Sequence, residues 1–140
     1  MIRRGKYILV FKMPDADIRV GALGMLHFGE GTYCYIGSAM NGLDQRIARH
    51  MSEQKTIRWH IDYLTVRCSK IEAYEAVPHD VTECGLGNIV SEIGGRYSAA
   101  GFGCSDCRCR THLFMLDGDA EKKLISDSRF SLHGRPRIRI

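Results

Sequence analysis

The stretch Gly31-Thr32-Tyr33-Cys34-Tyr35-Ile36-Gly37-Ser38, followed by the run Leu43-Asp44-Gln45-Arg46-Ile47-Ala48-Arg49-His50, decides the fold. Alternation of aromatic and small residues up to Ile36 suits a pleated strand with one packed face. Gly37 marks the point where the chain is expected to turn, and Asn41 is placed to cap a helix through its side-chain oxygen. Asp44 adds negative charge near the start of that helix, where the backbone dipole favours it. Leu43, Ile47 and Met51 recur every four residues and face inward, which leaves Arg46, Arg49 and His50 on or beside the outer surface. A tyrosine-bearing strand end and a cationic helix are thus delivered to one place.

Upstream, residues 6–13 read as a strand with Tyr7, Leu9 and Phe11 on one face and Ile8, Val10 and Lys12 on the other. Both faces are mostly apolar, so this strand is expected to be central. Pro14-Asp15 turns the chain into a weaker strand pair over 17–28, broken around Gly21 and Gly24. Downstream, Thr56 is expected to cap a second helix in which Ile57, Ile61 and Leu64 share a face, Trp59 pairs with Tyr63, and His60 and Asp62 are polar residues at the core edge. Residues 70–77 alternate with period two and predict a strand ended by Pro78. A third helix begins at Asp80, carries Leu86, Ile89, Val90 and Ile93, and stops at Gly94-Gly95. Residues 98–110 form a cysteine-rich loop, and 112–116 a last short apolar strand. This order implies an α/β protein of the α+β kind, with a small mixed, mainly antiparallel sheet and helices packed on it. The domain is expected to span residues 1–116, with 117–140 as a basic, loosely ordered C-terminal extension.

The length of 140 residues and a hydrophobic content of 44% suffice for one domain with a core. A net charge of +4 fits an anionic partner such as nucleic acid, and equally a solvated basic surface. The N-terminal apolar run is too short for a signal peptide, and no stretch is long enough to cross a bilayer. The expectation is a cytoplasmic protein with no membrane partner, whose six cysteines stay as thiols or metal ligands rather than disulfides. Cys104, Cys107, Cys109 and His112 offer three thiols and an imidazole within nine residues, the ligand types of a tetrahedral zinc site. Zinc ligands usually arrive as pairs from separated segments, so a distant residue such as His60 would complete such a site more easily. The competing reading is inert thiols that fill space, which is also how Cys34, Cys68 and Cys84 are read.

Gly5-Lys6-Tyr7, Tyr35-Ile36-Gly37, an arginine-bearing helix and a later helical glutamate together resemble the GIY-YIG nuclease superfamily. The runs Tyr35-Ile36-Gly37-Ser38-Ala39, Trp59-His60-Ile61-Asp62-Tyr63-Leu64 and Gly101-Phe102-Gly103-Cys104-Ser105-Asp106-Cys107-Arg108-Cys109 look like an uncharacterised archaeal and bacterial branch of it. That branch is sometimes fused to an endonuclease III-type glycosylase. The resemblance implies a sheet with a three-stranded core flanked by helices, and hydrolysis of DNA phosphodiester bonds with one magnesium or manganese ion, in the setting of DNA repair and of a repair-protein partner. It assigns Tyr7 and Tyr35 to the two tyrosine motifs, Arg46 to the helical arginine, and Glu83 to the acidic metal ligand. His50, one turn after Arg46, is a candidate to assist Tyr7, and Arg46, Arg49 and Arg58 are candidates to bind the nucleic acid. Lys6 departs from the isoleucine of the first motif, the segment from Pro14 to Glu30 widens the gap between the tyrosine motifs, and Asn88 stands too near Glu83 to match the family's late asparagine.

Structural readings stand beside these. Tyr7 and Tyr35 also suit half-buried strand positions. Arg49 and Arg58 suit solvated helix charges. Glu83 also fits the closing residue of a capping box begun at Asp80. Three functional classes follow: a metal-dependent endonuclease, a nucleic-acid-binding module without turnover, and a zinc or thiol protein centred on Cys104 to His112.

Overall fold

β1 (Gly5–Met13) is the strand on which the sheet is built. It pairs antiparallel with β4 (Gly31–Ala39) on one side and with β5 (Lys70–Ala76) on the other, as its two apolar faces predict. The protein is described by a computed structural model over residues 2–77, 81–104 and 110–139. β2 (Ala16–Arg19) and β3 (Met25–Phe28) form a separate two-stranded hairpin. β6 (Arg96–Tyr97), β7 (Leu113–Leu116) and β8 (Phe130–Ile138) complete a sheet of order β6-β7-β4-β1-β5-β8, and every pairing among the described residues is antiparallel. The helices are α1 (Leu43–Met51), α2 (His60–Thr65), α3 (Glu83–Ile93) and α4 (Gly118–Ile125). The α+β class with a mainly antiparallel sheet is therefore the observed one.

The alternation in β1 sorts the core into two layers. Tyr7, Leu9 and Phe11 pack with Leu43 and Ile47 of α1, Ile61 and Leu64 of α2, and Ile18 and Phe28 of the hairpin. Ile8 and Val10 pack on the other face with Leu86 and Val90 of α3 and Ala120 and Leu124 of α4. Burying each such side chain stabilises the fold by roughly 1.5–3 kcal/mol before entropy is counted, so the sheet is clamped from both sides.

Three local expectations are corrected. β4 does not turn at Gly37 but runs on to Ala39. α1 is preceded by Gly42 at φ 121°, with no side-chain cap, so Asn41 does not cap it. α2 starts at His60 rather than at Thr56, because the buried Asp62 carboxylate accepts from the backbone N–H groups of Arg58 and Trp59 and fixes the first turn there.

The largest correction concerns residues 117–140, expected to be a loose extension. Asp117 caps α4 by accepting from the Ala120 N–H, and β8 adds to the sheet along β5. β8 contains Gly134 at φ 67° and Pro136, and its register slips opposite Ile71 to Ala73; proline and left-handed glycine are tolerated there because the strand lies at the sheet edge. Its arginines are tied down. Arg137 donates to the carbonyls of Met51 and Thr65 and to Cys68 Sγ, and Arg139 to the carbonyl of Val66. These are C-terminal carbonyls of α1 and α2 that the helices cannot satisfy themselves. Arg137→Ala is therefore expected to lower stability in urea titration by about 1–3 kcal/mol, whereas the same change at exposed Arg135 should stay within about 0.5 kcal/mol.

Candidate functional site

Gly37 lies directly across from Tyr7 in the β1–β4 register. A Cβ there would overlap Cζ, Oη and Cε2 of the Tyr7 ring, so the absent side chain is what lets the ring lie flat across the neighbouring strand. The ring is almost fully buried, and its hydroxyl meets His50 Nε2 at 2.6 Å. His50 was expected on the outer face of α1; instead it is 1% exposed. The reason is the register 43, 47, 50, which continues the inward stripe and carries a polar residue under α2.

These groups line a cavity of about 450 Å³ bounded by β1, β4, α1 and the first turn of α3. Tyr7, Tyr35, Arg46, His50 and Glu83 all reach it, so the five candidates scattered from residue 7 to residue 83 share one cleft. Lys6, Trp59 and His112 also line it. Their role was not legible in the sequence: Lys6 counted only as a motif departure, Trp59 only as packing, and His112 only as a zinc candidate.

Arg46 is held by two contacts. Its guanidinium donates to the Ser38 carbonyl at 3.1 Å and lies 4.5 Å from the centre of the Trp59 ring. The Arg49 guanidinium lies 4.4 Å from the same ring and makes a two-pronged pair with Asp62, both bonds at 2.8 Å, as well as a bond to the Thr56 carbonyl. Arg49 is thus engaged in the fold. Burial alone would raise the Asp62 carboxyl, but the Arg49 fork and the Trp59 and Arg58 N–H groups outweigh it and hold it below the usual range. The Arg58 side chain is exposed and outside the cavity lining.

Burial pushes both phenols well above their ordinary value, with the Arg46 charge opposing, so Tyr7 and Tyr35 are protonated at neutral pH. Burial, helped by the Lys55 charge, pushes His50 down to about 3, so its ring is neutral. His50 Nδ1 is buried with no hydrogen-bond partner among the described residues.

Glu83 is the first residue of α3, whose cap is Thr82, accepting from the Gly85 N–H. The capping box anchored at Asp80 therefore does not form around Glu83, and Asp80 itself lies outside the described residues. The Glu83 carboxylate is partly exposed and sits 3.4 Å from His112 Nδ1. Burial lowers the His112 pKa against the pull of Glu83, so the imidazole is neutral and a poor counter-charge for the carboxylate. A magnesium-type ion needs one or two carboxylates, with water and substrate phosphate supplying its remaining positions, and Glu83 at the cavity wall fits that demand.

The proposed zinc set divides. Cys107 and Cys109 lie outside the described residues. His112 is buried and faces Glu83, and the Cys104 thiol lies 3.5 Å from the Phe102 carbonyl. Cys34 and Cys68 are buried thiols, raised by burial, as expected of space-filling residues. Cys84 departs from that reading and corrects the expectation that the cysteines form no disulfide: it is exposed on the first turn of α3, with no core to fill, and is disulfide-bonded. The only group of three metal-ligand types found close together among the described residues, Asp44, Glu75 and His133, already has the Arg3 guanidinium bonded to both carboxylates.

The chain belongs to the family described as a domain of unknown function, DUF123, whose model matches residues 6–132. No curated protein and no solved structure matches it. No helix among the described residues is long and apolar enough to cross a membrane.

Two outcomes test this geometry. Gly37→Ala should force the Tyr7 ring off His50 and cost about 1–3 kcal/mol in thermal or denaturant unfolding. His50 supplies the second. Its folded pKa of about 3 lies below the unfolded value near 6.5, so the unfolded chain binds more protons in between, and stability must fall as pH drops through that window. His50→Gln, which keeps a partner for the Tyr7 hydroxyl, should reduce the acid slope of stability between pH 4 and 6 by about one proton.

Proposed function

We propose that this DUF123 protein is a divalent-metal-dependent phosphodiesterase that cleaves DNA, with Tyr7, Tyr35, Arg46, His50 and Glu83 as its reacting and phosphate-binding groups. The observation that carries this is the meeting of two buried phenols, a neutral histidine, a fixed guanidinium and one carboxylate in a single cleft. Five chemically matched residues from four elements converge there, which an ordinary polar core edge does not require.

Arg46 binds the anionic phosphate and offsets the charge that grows on its oxygens at the transition state. The Ser38 carbonyl and the Trp59 ring hold its guanidinium before substrate arrives, so little reorganisation is needed. Tyr7 receives the proton of the attacking water on its oxygen while passing its own proton to His50 Nε2. The water oxygen bonds to phosphorus, and the phosphorus–oxygen bond to the departing strand breaks with its electron pair on that oxygen. A phosphodiester anion in the cleft raises the His50 pKa, and Asp62 acts in the same direction, which makes the imidazolium accessible. Tyr35 donates its hydroxyl to a phosphate oxygen. Glu83 would hold a magnesium or manganese ion, which would polarise the phosphate and stabilise the leaving oxygen. Zinc has no role in this reading. A nucleic-acid substrate agrees with the +4 charge.

Glu83→Ala and Tyr7→Phe should each lower magnesium-dependent cleavage of labelled DNA by about a thousandfold, while retaining DNA binding that weakens with salt. Retained binding without any cleavage by the unaltered protein would replace the nuclease reading with that of a binding module. Neither binding nor cleavage would remove both.

A further inference from the structure

A second cavity of about 320 Å³ opens beside the first and shares Glu83, Cys84 and His112 with it. Its remaining wall has a different chemistry. Tyr97, on the edge strand β6, is 49% exposed although it is aromatic; its ring leans on Phe114 with centroids 5.3 Å apart. The Arg110 guanidinium lies 5.2 Å from the centre of the Tyr97 ring. Asn88 stands on the exposed side of α3, one turn and a half beyond Glu83. A guanidinium lying over a tyrosine ring, in one cavity with an amide, presents flat groups on which a single unstacked base can stack, and the amide can bond its edge or sugar.

We propose that this cavity binds one unpaired nucleotide next to the phosphodiester held in the first cleft. The inference rests on the phosphodiesterase reading and deepens it by naming the substrate class. The volume is at the small end of ligand sites, enough for a nucleoside and too little for a base pair. A continuous duplex can fill it only by extruding a base, whereas a flap, a gap or a frayed junction supplies one without that cost. The preferred substrate is therefore DNA with a single-stranded nucleotide immediately beside the cleaved bond. The shared wall residue Glu83 makes the two cavities successive positions along one strand.

The test uses the full chain and a matched pair of labelled DNAs, one a flapped duplex and the other its nicked-and-closed counterpart of the same sequence. The fluorescent base 2-aminopurine replaces the first flap nucleotide. The unaltered protein should bind and cleave the flap about tenfold better than the closed duplex, and binding should quench the 2-aminopurine, as stacking on an aromatic ring does. Tyr97→Ala should abolish the quench and reduce the flap preference to about threefold or less, and Tyr97→Phe should restore both. Arg110→Ala, at an exposed position that carries no core packing, should lower the preference as well. Cleavage of both DNAs with no preference, or a preference and quench that survive Tyr97→Ala, would overturn the subsite while leaving the nuclease reading intact. Failure to bind or cleave either DNA would instead remove the functional reading and the subsite with it.

Discussion

The Tyr7 ring lying across Gly37 is the contact on which the rest of the site depends. It is a cross-strand pair in the middle of the sheet, and it is possible only because β4 has no side chain at that point. Once the ring is laid flat, its hydroxyl is committed to a single direction and draws the last turn of α1 onto the sheet through His50. Lys55 then closes that turn by donating to the carbonyls of Arg49 and His50. One missing Cβ thereby sets the distance between the strand pair and the helix that carries Arg46.

A second constraint is electrostatic. The cleft gathers Lys6, Arg46 and, one layer behind, Arg49 and Lys55 around groups that burial keeps neutral. Such a concentration of positive charge would be self-repelling without Asp62, which is fully buried and makes two bonds to Arg49 and two to backbone N–H groups. The Trp59 ring takes part on the same footing, since two guanidiniums sit within 4.5 Å of its centre. Asp62 comes from the first turn of α2 and Trp59 from the residue just before it, so one short segment supplies both supports.

Much of this was legible in the residues themselves. The alternation of Tyr7 to Phe11 announced a central strand, the period of Leu43 and Ile47 announced a helix on it, and the motif residues around Tyr35 to Gly37 indicated where the cleft would be. What failed did so for physical reasons. His50 was assigned to the surface by its polarity, although its spacing from Leu43 and Ile47 placed it inside. β8 was unreadable because Gly134, Pro136 and alternating arginines look like a loose tail, and only the hydrogen bonds of Arg137 and Arg139 to distant carbonyls make sense of them. β6 is two residues long, too short for any periodicity to register. Glu83 was placed correctly on a helix, but its position relative to the cap could not be separated from that of Asp80 by type alone.

The ties from β8 to the ends of α1 and α2 also bear on the order in which the molecule can be made. Arg137 reaches back 86 residues to Met51 and 72 to Thr65, while Arg139 reaches 73 to Val66. On a ribosome, the strands and helices around the cleft emerge long before the residues that seal those helix ends, and a buried cleft face must wait with its terminal carbonyls still hydrated. Closure over such separations is entropically slow. The helix ends beside the cleft can therefore be sealed only after residues 137 and 139 have emerged, which makes β8 the latch that closes last in sequence order.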